Sequence, residues 1–299
     1  MTTARTTTAP TSPDARADAS RPVRWGAVAL FVLLSFGIAW LISLPLWLGD
    51  GLESSLAMPV AGVIMAAPAI AAVAVVLGTR TAAPAAYLGL KGGVGWGRTV
   101  RFALLGAVGA TLVALAAVLV AAGAGWTTLG LSSDSTGELL LLPVMALGVA
   151  IPAIGEEIGW RGFLQQELAP LGTWPSLILT GVLWGLWHAP LVLLGYNYGS
   201  TDPLVLVPMV VTTILMGVLI GWLRMRTDSI YPGALAHGAL NASTSVLPLG
   251  IVVGGAVDVS GTVLGWGGWL VVLVVIAVLV ASRSFHWARP PRALGSAAE

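Results

Sequence analysis

Long apolar runs separated by short polar stretches make up most of this 299-residue chain. Seven of them, at residues 25–48, 56–78, 100–123, 139–155, 174–196, 203–223 and 264–282, meet or approach the roughly 20 residues an α-helix needs to cross an apolar layer about 30 Å thick. An eighth run, 229–250, is less apolar because it holds His237, Asn241 and several hydroxyls, yet it is bounded like the others. Runs of this length exclude a closed barrel, whose strands alternate and are only about ten residues long. The pattern predicts an all-α polytopic membrane bundle of eight transmembrane helices.

Composition agrees. Apolar residues make up 57% of the chain and charged residues 9%, against about 25% charged in a soluble domain, and the mean hydropathy is +0.92. The chain is therefore an integral membrane protein. The absence of cysteine excludes disulfides, Fe–S clusters and a thiol nucleophile. The first 22 residues, mostly Thr, Ala, Ser, Pro and Arg, predict a disordered tail. A cleaved signal peptide is not expected, because the first apolar run starts only at Trp25 and is long enough to span.

Charge placement orients the bundle. If the spans alternate, the loops after the first, third, fifth and seventh contain Asp50, Glu53, Asp134, Asp202 and Asp258 and no Lys or Arg. All 14 basic residues then fall on the other side: Arg5, Arg16, Arg21 and Arg24 in the tail, and Arg80, Lys91, Arg98 and Arg101 in the second loop. Arg161 follows the fourth span, Arg224 and Arg226 the sixth, and Arg283, Arg289 and Arg292 the eighth. The positive-inside rule puts both termini in the cytoplasm of a multi-pass cell-membrane protein. The expected organisation is a cytoplasmic tail over 1–22, three helices over 23–138, a four-helix core over 139–250, and a last helix with a cytoplasmic tail over 251–299. Glycine, at 38 residues, lets the helices approach closely. Trp25, Trp40, Trp47, Trp96, Trp174, Trp222 and Trp287 lie near span ends, as interfacial anchors do. No internal repeat is evident, which weighs against inverted-repeat transporters.

Against this apolar background a few ionisable groups stand out. Glu156 and Glu157 close the fourth run, with Arg161 just behind; His188 lies in the fifth, and His237 with Asn241 in the seventh. A charge at membrane depth costs roughly 2.5 to 3.5 kcal/mol on insertion scales, so such groups mark a functional site by default. At 1.5 Å per residue, His188 lies about 20 Å and His237 about 12 Å along their helices, so bends at Pro152 and Pro190 would let the three elements meet. Glu157 and Arg161 are spaced i, i+4 and can pair, and His237 shares a helix face with Asn241, as Trp184 does with His188. Glu156 is rotated about 100° from Glu157 and is free to point elsewhere. Gln165, Gln166 and Glu167 read as solvated polar groups on a cytoplasmic link. Asn197 and Tyr198 read as far-interface residues with no catalytic role.

Three strings carry a family resemblance. Glu156-Glu157-Ile158-Gly159-Trp160-Arg161 matches EExxxR, Trp184-Gly185-Leu186-Trp187-His188 resembles FxxxH with Trp for Phe, and His237-Gly238-Ala239-Leu240-Asn241 matches HxxxN. In that order the chain resembles the CPBP family of intramembrane proteases, which includes the type II CAAX prenyl endopeptidases and the bacteriocin-processing and self-immunity proteins. The resemblance covers roughly residues 139–250.

Peptide hydrolysis needs an activated water, a proton shuttle and donors for the oxyanion. With no cysteine and no serine in a nucleophile-elbow pattern, a carboxylate base remains, and Glu156 fits that role. His188 could hold the water and pass its proton to the leaving amine, while His237 and Asn241 donate to the oxyanion. Arg161 would hold Glu157 ionised and fixed. The resemblance implies the same assignment, position by position, with no cofactor. A zinc ion on two His and one Glu is the alternative, although HExxH is missing. The expected substrate is a membrane-anchored or membrane-inserted peptide or protein met in the lipid bilayer, with no nucleic-acid partner. A non-enzymatic self-immunity protein that binds a bacteriocin or its receptor through the same cavity is the runner-up. A proton-coupled transporter using Glu and His as relays is a third class.

Overall fold

The computed structural model describes residues 22–81, 83–131, 135–255 and 262–292. Residues 1–21 of the expected tail, and Asp134 and Asp258 in two of the expected acidic loops, lie outside the described residues. Each of the eight apolar runs contains helix. Among the described residues, five helical stretches are long and apolar enough to cross a membrane by length and composition: Trp25–Trp47, Ala57–Gly78, Trp96–Gly123, Leu139–Leu171 and Pro203–Thr227. The remaining three runs form Thr173–Trp187, which breaks at His188, the more polar Tyr231–Ile251, and the shorter Trp266–Ala281. Large apolar side chains such as Leu33, Leu41, Leu140, Ile151 and Val274 face outward. A solvent-facing surface of this kind would be a liability in water, whereas lipid covers it without penalty. The chain is a multi-pass membrane protein.

The helices are numbered in chain order: α1 (Trp25–Trp47), α2 (Ala57–Ile64), α3 (Ala67–Gly78), α4 (Pro84–Tyr87), α5 (Trp96–Gly123), α6 (Ser135–Glu157), α7 (Gln165–Leu168), α8 (Thr173–Trp187), α9 (Ala189–Val192), α10 (Leu206–Thr227), α11 (Tyr231–Ile251) and α12 (Trp266–Ala281). Three interruptions shape the bundle. The second run splits into α2 and α3 because Pro68, in the first turn of α3, has no N–H to continue the ladder from α2. The fifth splits at His188, two residues before Pro190. Between α6 and α7 the chain runs as a π-helix over Ile158–Leu164, a rare form that is frequent at functional sites.

Glycines set the closest approaches. A Cβ on Gly238 of α11 would lie 2.5 Å from the Ala146 carbonyl oxygen and the Ala150 nitrogen of α6, so only glycine lets these backbones touch. On α8, a Cβ on Gly181 would come within 2.6 Å of Ile214 Cα, and Thr213 Oγ donates to the Gly181 carbonyl at 2.9 Å, which locks α8 onto α10. Phe31, Trp160, Phe163 and Trp187 fill the core beside them with ring centroids 5.0 to 5.8 Å apart.

The ends of the runs fall into two groups. At one end, Trp47 at the close of α1 donates its indole N–H to the Pro190 carbonyl of α9. Strands β1 (Thr127–Leu129) and β2 (Val252–Gly255), an antiparallel pair absent from the sequence reading, join the stretches after α5 and α11. At the other end, Val94 N–H donates to Thr227, Ile230 N–H to Gly89, and Arg292 to Asp228 and to Ala86.

Two polar groups expected at the surface are buried. Gln165, Gln166 and Glu167 are fully buried rather than solvated. The π-helix tucks them beneath the α4 loop, where Tyr87 O–H donates to Glu167 (2.7 Å), Gln166 donates to the Tyr87 carbonyl (3.1 Å), and Gln165 donates to Gly221 (3.2 Å). Arg224, read as a loop cation, is buried with them; it is paired with Asp228 at 2.7 Å and donates to the Arg161 carbonyl at 3.2 Å.

Packing this tight predicts position-specific costs. Gly238→Ala is expected to destabilise the protein by about 1 to 3 kcal/mol, the usual penalty for overpacking. Gly109→Ala, with nothing within 4 Å of the added carbon, is expected to be neutral or slightly stabilising. Unfolding of the purified variants in detergent measures both; equal losses would show that the close approach of α6 and α11 is not what glycine secures.

Candidate active site

The two adjacent glutamates end α6, and the π-helix that follows sends their side chains to different surroundings. Glu156 is buried and accepts a 2.6 Å hydrogen bond on Oε2 from the indole N–H of Trp184. Glu157 turns away into the protein. Its Oε1 accepts from Arg161 Nη1 at 2.9 Å and from His237 Nδ1 at 3.0 Å. Gly233 makes room for it, since a Cβ there would lie 3.0 Å from Glu157 Oε2. Arg161 is itself buried, and its guanidinium lies over the Trp184 ring, 4.2 Å from the centroid. A cation over an aromatic face gains electrostatic attraction that strengthens when water is excluded.

The histidines are held by their Nδ1 atoms. His188 sits at the break between α8 and α9, with Nδ1 2.8 Å from the Trp184 carbonyl oxygen. A carbonyl only accepts, so Nδ1 carries the proton and Nε2 of the neutral ring is left with its lone pair. His237 is fixed in the same way: Nδ1 donates to the Glu157 carboxylate and Nε2 is left for other partners. Trp184 joins the pieces, with its ring centroid 5.9 Å from that of His188 and 5.3 Å from that of His237.

The six residues singled out from sequence therefore divide into two sets. Glu156, His188, His237 and Asn241 line one cavity of about 420 Å³, whereas Glu157 and Arg161 sit behind its wall. Asn241 is one turn beyond His237 on α11 and opens onto the same space. Trp184 also lines it, a role that sequence reasoning missed; the signal available was its i, i+4 spacing to His188 and its replacement of Phe by a ring with a donor. Asn197, expected to have no catalytic role, also lines the cavity, as does Thr212. Tyr198 instead donates to the Leu264 carbonyl. Among the described residues, no three His, Asp or Glu side chains are grouped closely enough to hold a metal ion in this conformation.

Comparison with known proteins agrees with the resemblance. Residues 138–243 match the family model described as type II CAAX prenyl endopeptidase Rce1-like. CAAX prenyl protease 2 of Methanococcus maripaludis is 27% identical over 114 residues, which cover 36% of this chain and 42% of the relative. The chain thus spans less than half the length of the relative it matches. Both findings support the CPBP family for this part of the chain.

The ion pair behind the wall has a measurable consequence. Arg161→Gln would leave the Glu157 charge buried with only His237 beside it, an imbalance expected to cost about 3 to 5 kcal/mol. Glu157→Gln combined with Arg161→Gln removes both charges and is expected to recover much of that loss. Denaturant unfolding of the single and double variants reads the difference; a single variant as stable as the parent would deny the pair its structural role.

Proposed function

We propose that this protein is an intramembrane endopeptidase of the CAAX-protease type. It would hydrolyse a peptide bond in a membrane-associated protein or peptide, using water activated by Glu156. The observation that carries this reading is the convergence of Glu156, His188, His237 and Asn241 on one cavity, with the Glu157–Arg161 pair held behind it. The reading includes eight spans with both termini in the cytoplasm of the cell membrane, supported by the two groups of helix ends and by the basic residues at one of them.

The geometry suits the chemistry. Trp184 occupies one oxygen of Glu156, leaving the other to take a proton from water as that water attacks the scissile carbonyl. His188 presents Nε2 to the cavity, where its lone pair can accept the proton that Glu156 takes from water and pass it on to the leaving amine. The negative charge that develops on the carbonyl oxygen needs donors, and Asn241 supplies an amide N–H. To donate as well, His237 must carry a proton on Nε2 in addition to Nδ1, and the Glu157 carboxylate is the counter-charge for that form. Five methionines, at positions 58, 65, 145, 209 and 216, line the cavity. Flexible, polarisable walls of this kind adapt to an extended apolar ligand.

A zinc-dependent enzyme would draw on the same Glu156, His188 and His237, so the decisive experiment pairs mutation with metal analysis. Purified protein in proteoliposomes, assayed on synthetic CAAX peptides with and without a prenyl group, is expected to cleave at undiminished rate with far less than one zinc per chain. Glu156→Gln is expected to abolish cleavage while the protein still folds and binds peptide. Asn241→Ala is expected to lower kcat by about 10²- to 10³-fold, the cost of one oxyanion donor. Cleavage by Glu156→Gln at the parent rate, or activity lost with zinc and regained with it, would overturn the mechanism.

Trp184 acts as a positioning residue. Trp184→Phe keeps the aromatic face over Arg161 and deletes only the N–H that orients Glu156. Loss of a hydrogen bond to a charged group is expected to lower kcat between about 10- and 100-fold with KM little changed. An unchanged kcat would show that Glu156 needs no such orientation.

A further inference from the structure

The grouped basic residues enclose a second cavity, remote from the first. It has a volume of about 350 Å³ and is lined by Lys91, Gly93, Trp96, Asp228, Arg289 and Arg292 among others. Its charge is unbalanced. Asp228 is matched by Arg224 at 2.7 Å and by Arg292 at 2.7 Å. Lys91 and Arg289 have no ion pair among the described residues. Among the lining residues, Lys91, Arg289 and Arg292 stand against Asp228 alone, an excess of two positive charges, and Asp228 is further neutralised from behind by the buried Arg224. A concave site with excess fixed cations focuses field lines and attracts an anion.

The walls are built to hold that shape. Gly93, at φ +44°, lies so close to the Thr227 carbonyl that a Cβ would overlap it, and Val94 N–H donates to Thr227. The loop is thereby pressed against the turn that carries Asp228. Arg292 crosses the opening to reach both Asp228 and the Ala86 carbonyl at 3.1 Å. Where the loop ends, α5 begins with no side chain capping its first amides, and these add partial positive charge to the same wall.

The surroundings say where the anion comes from. Trp96 is the first residue of α5, a 28-residue helix apolar enough to cross a membrane, so the cavity sits at headgroup depth. From Trp96 an outward apolar stripe continues at i+4, i+8 and i+12 through Val100, Leu104 and Val108, all exposed. A soluble phosphate would use the cations and leave the stripe bare; a lipid uses both. We propose that this cavity binds the phosphate of an anionic phospholipid, held by Lys91, Arg289 and Arg292, with its acyl chains lying along the Trp96–Val108 face of α5. The assignment is independent of the protease reading.

Native mass spectrometry of the delipidated full chain tests it. Phosphatidylglycerol is titrated against phosphatidylcholine of the same acyl chains, with inorganic phosphate as a third arm. The parent is expected to retain one phosphatidylglycerol with about tenfold or greater preference, and Lys91→Gln with Arg289→Gln is expected to lose that preference, the scale for removing two basic side chains at an anionic surface. Both residues are exposed, so the double variant is expected to fold and to melt like the parent without lipid. Arg80→Gln with Arg283→Gln, basic positions outside the cavity, is expected to keep the preference. The proposal is overturned if the parent shows no preference, if the Lys91 and Arg289 variant keeps it, or if inorganic phosphate stabilises the parent as well as phosphatidylglycerol does.

Discussion

A carboxylate buried in an apolar helix bundle must have its charge met on the spot, and the arrangement around Glu157 follows from that requirement. Arg161 lies four residues on and reaches Glu157 because the intervening chain is packed inside the bundle instead of leaving it. His237 closes on the same oxygen from α11. α11 can come near enough only because Gly238 allows backbone contact with α6, and Gly233 leaves space for the carboxylate. Three elements are thus pinned to one group. With Glu157 committed, Glu156 is free to face the cavity, and the two neighbours take opposite roles through orientation alone.

Trp184 is the second junction. It donates to Glu156, lies under Arg161, packs edge-on to His237, and offers its carbonyl to His188. The tautomers of both histidines follow from acceptors that cannot donate, so each ring turns its Nε2 away from the scaffold. A site so constructed holds its groups on helices with their partners already made, and that lowers the reorganisation a reaction would need.

Much of this was legible in the chain. Each apolar run contains helix, although the second and fifth are each broken in two, and the proline at 190 anticipated the break at His188. The i, i+4 spacing of Glu157 and Arg161 anticipated the pair. What escaped is equally physical. Gln165, Gln166 and Glu167 look like a solvated link by polarity, but their burial depends on Tyr87 and Gly221, partners 56 to 80 residues away in sequence. The π-helix has no compositional signature. The short β1–β2 pair joins stretches more than 120 residues apart through backbone bonds that side-chain pattern does not report. Burial of Arg224 was hidden for the same reason, since a basic residue at a span end reads as a positive-inside charge whether it faces water or an aspartate.

In the proposed mechanism one cavity holds a base, a proton carrier and an oxyanion site, each supplied by a different residue. A structure of the protein with a phosphinate analogue of a substrate peptide bond tests this most directly. The account predicts one phosphinyl oxygen within about 3 Å of Glu156 and the other at a similar distance from Asn241 Nδ2 and His237 Nε2, with His188 on the side of the leaving group. An analogue seated away from Glu156, or bound through a metal ion that joins Glu156 to the two histidines, would contradict it.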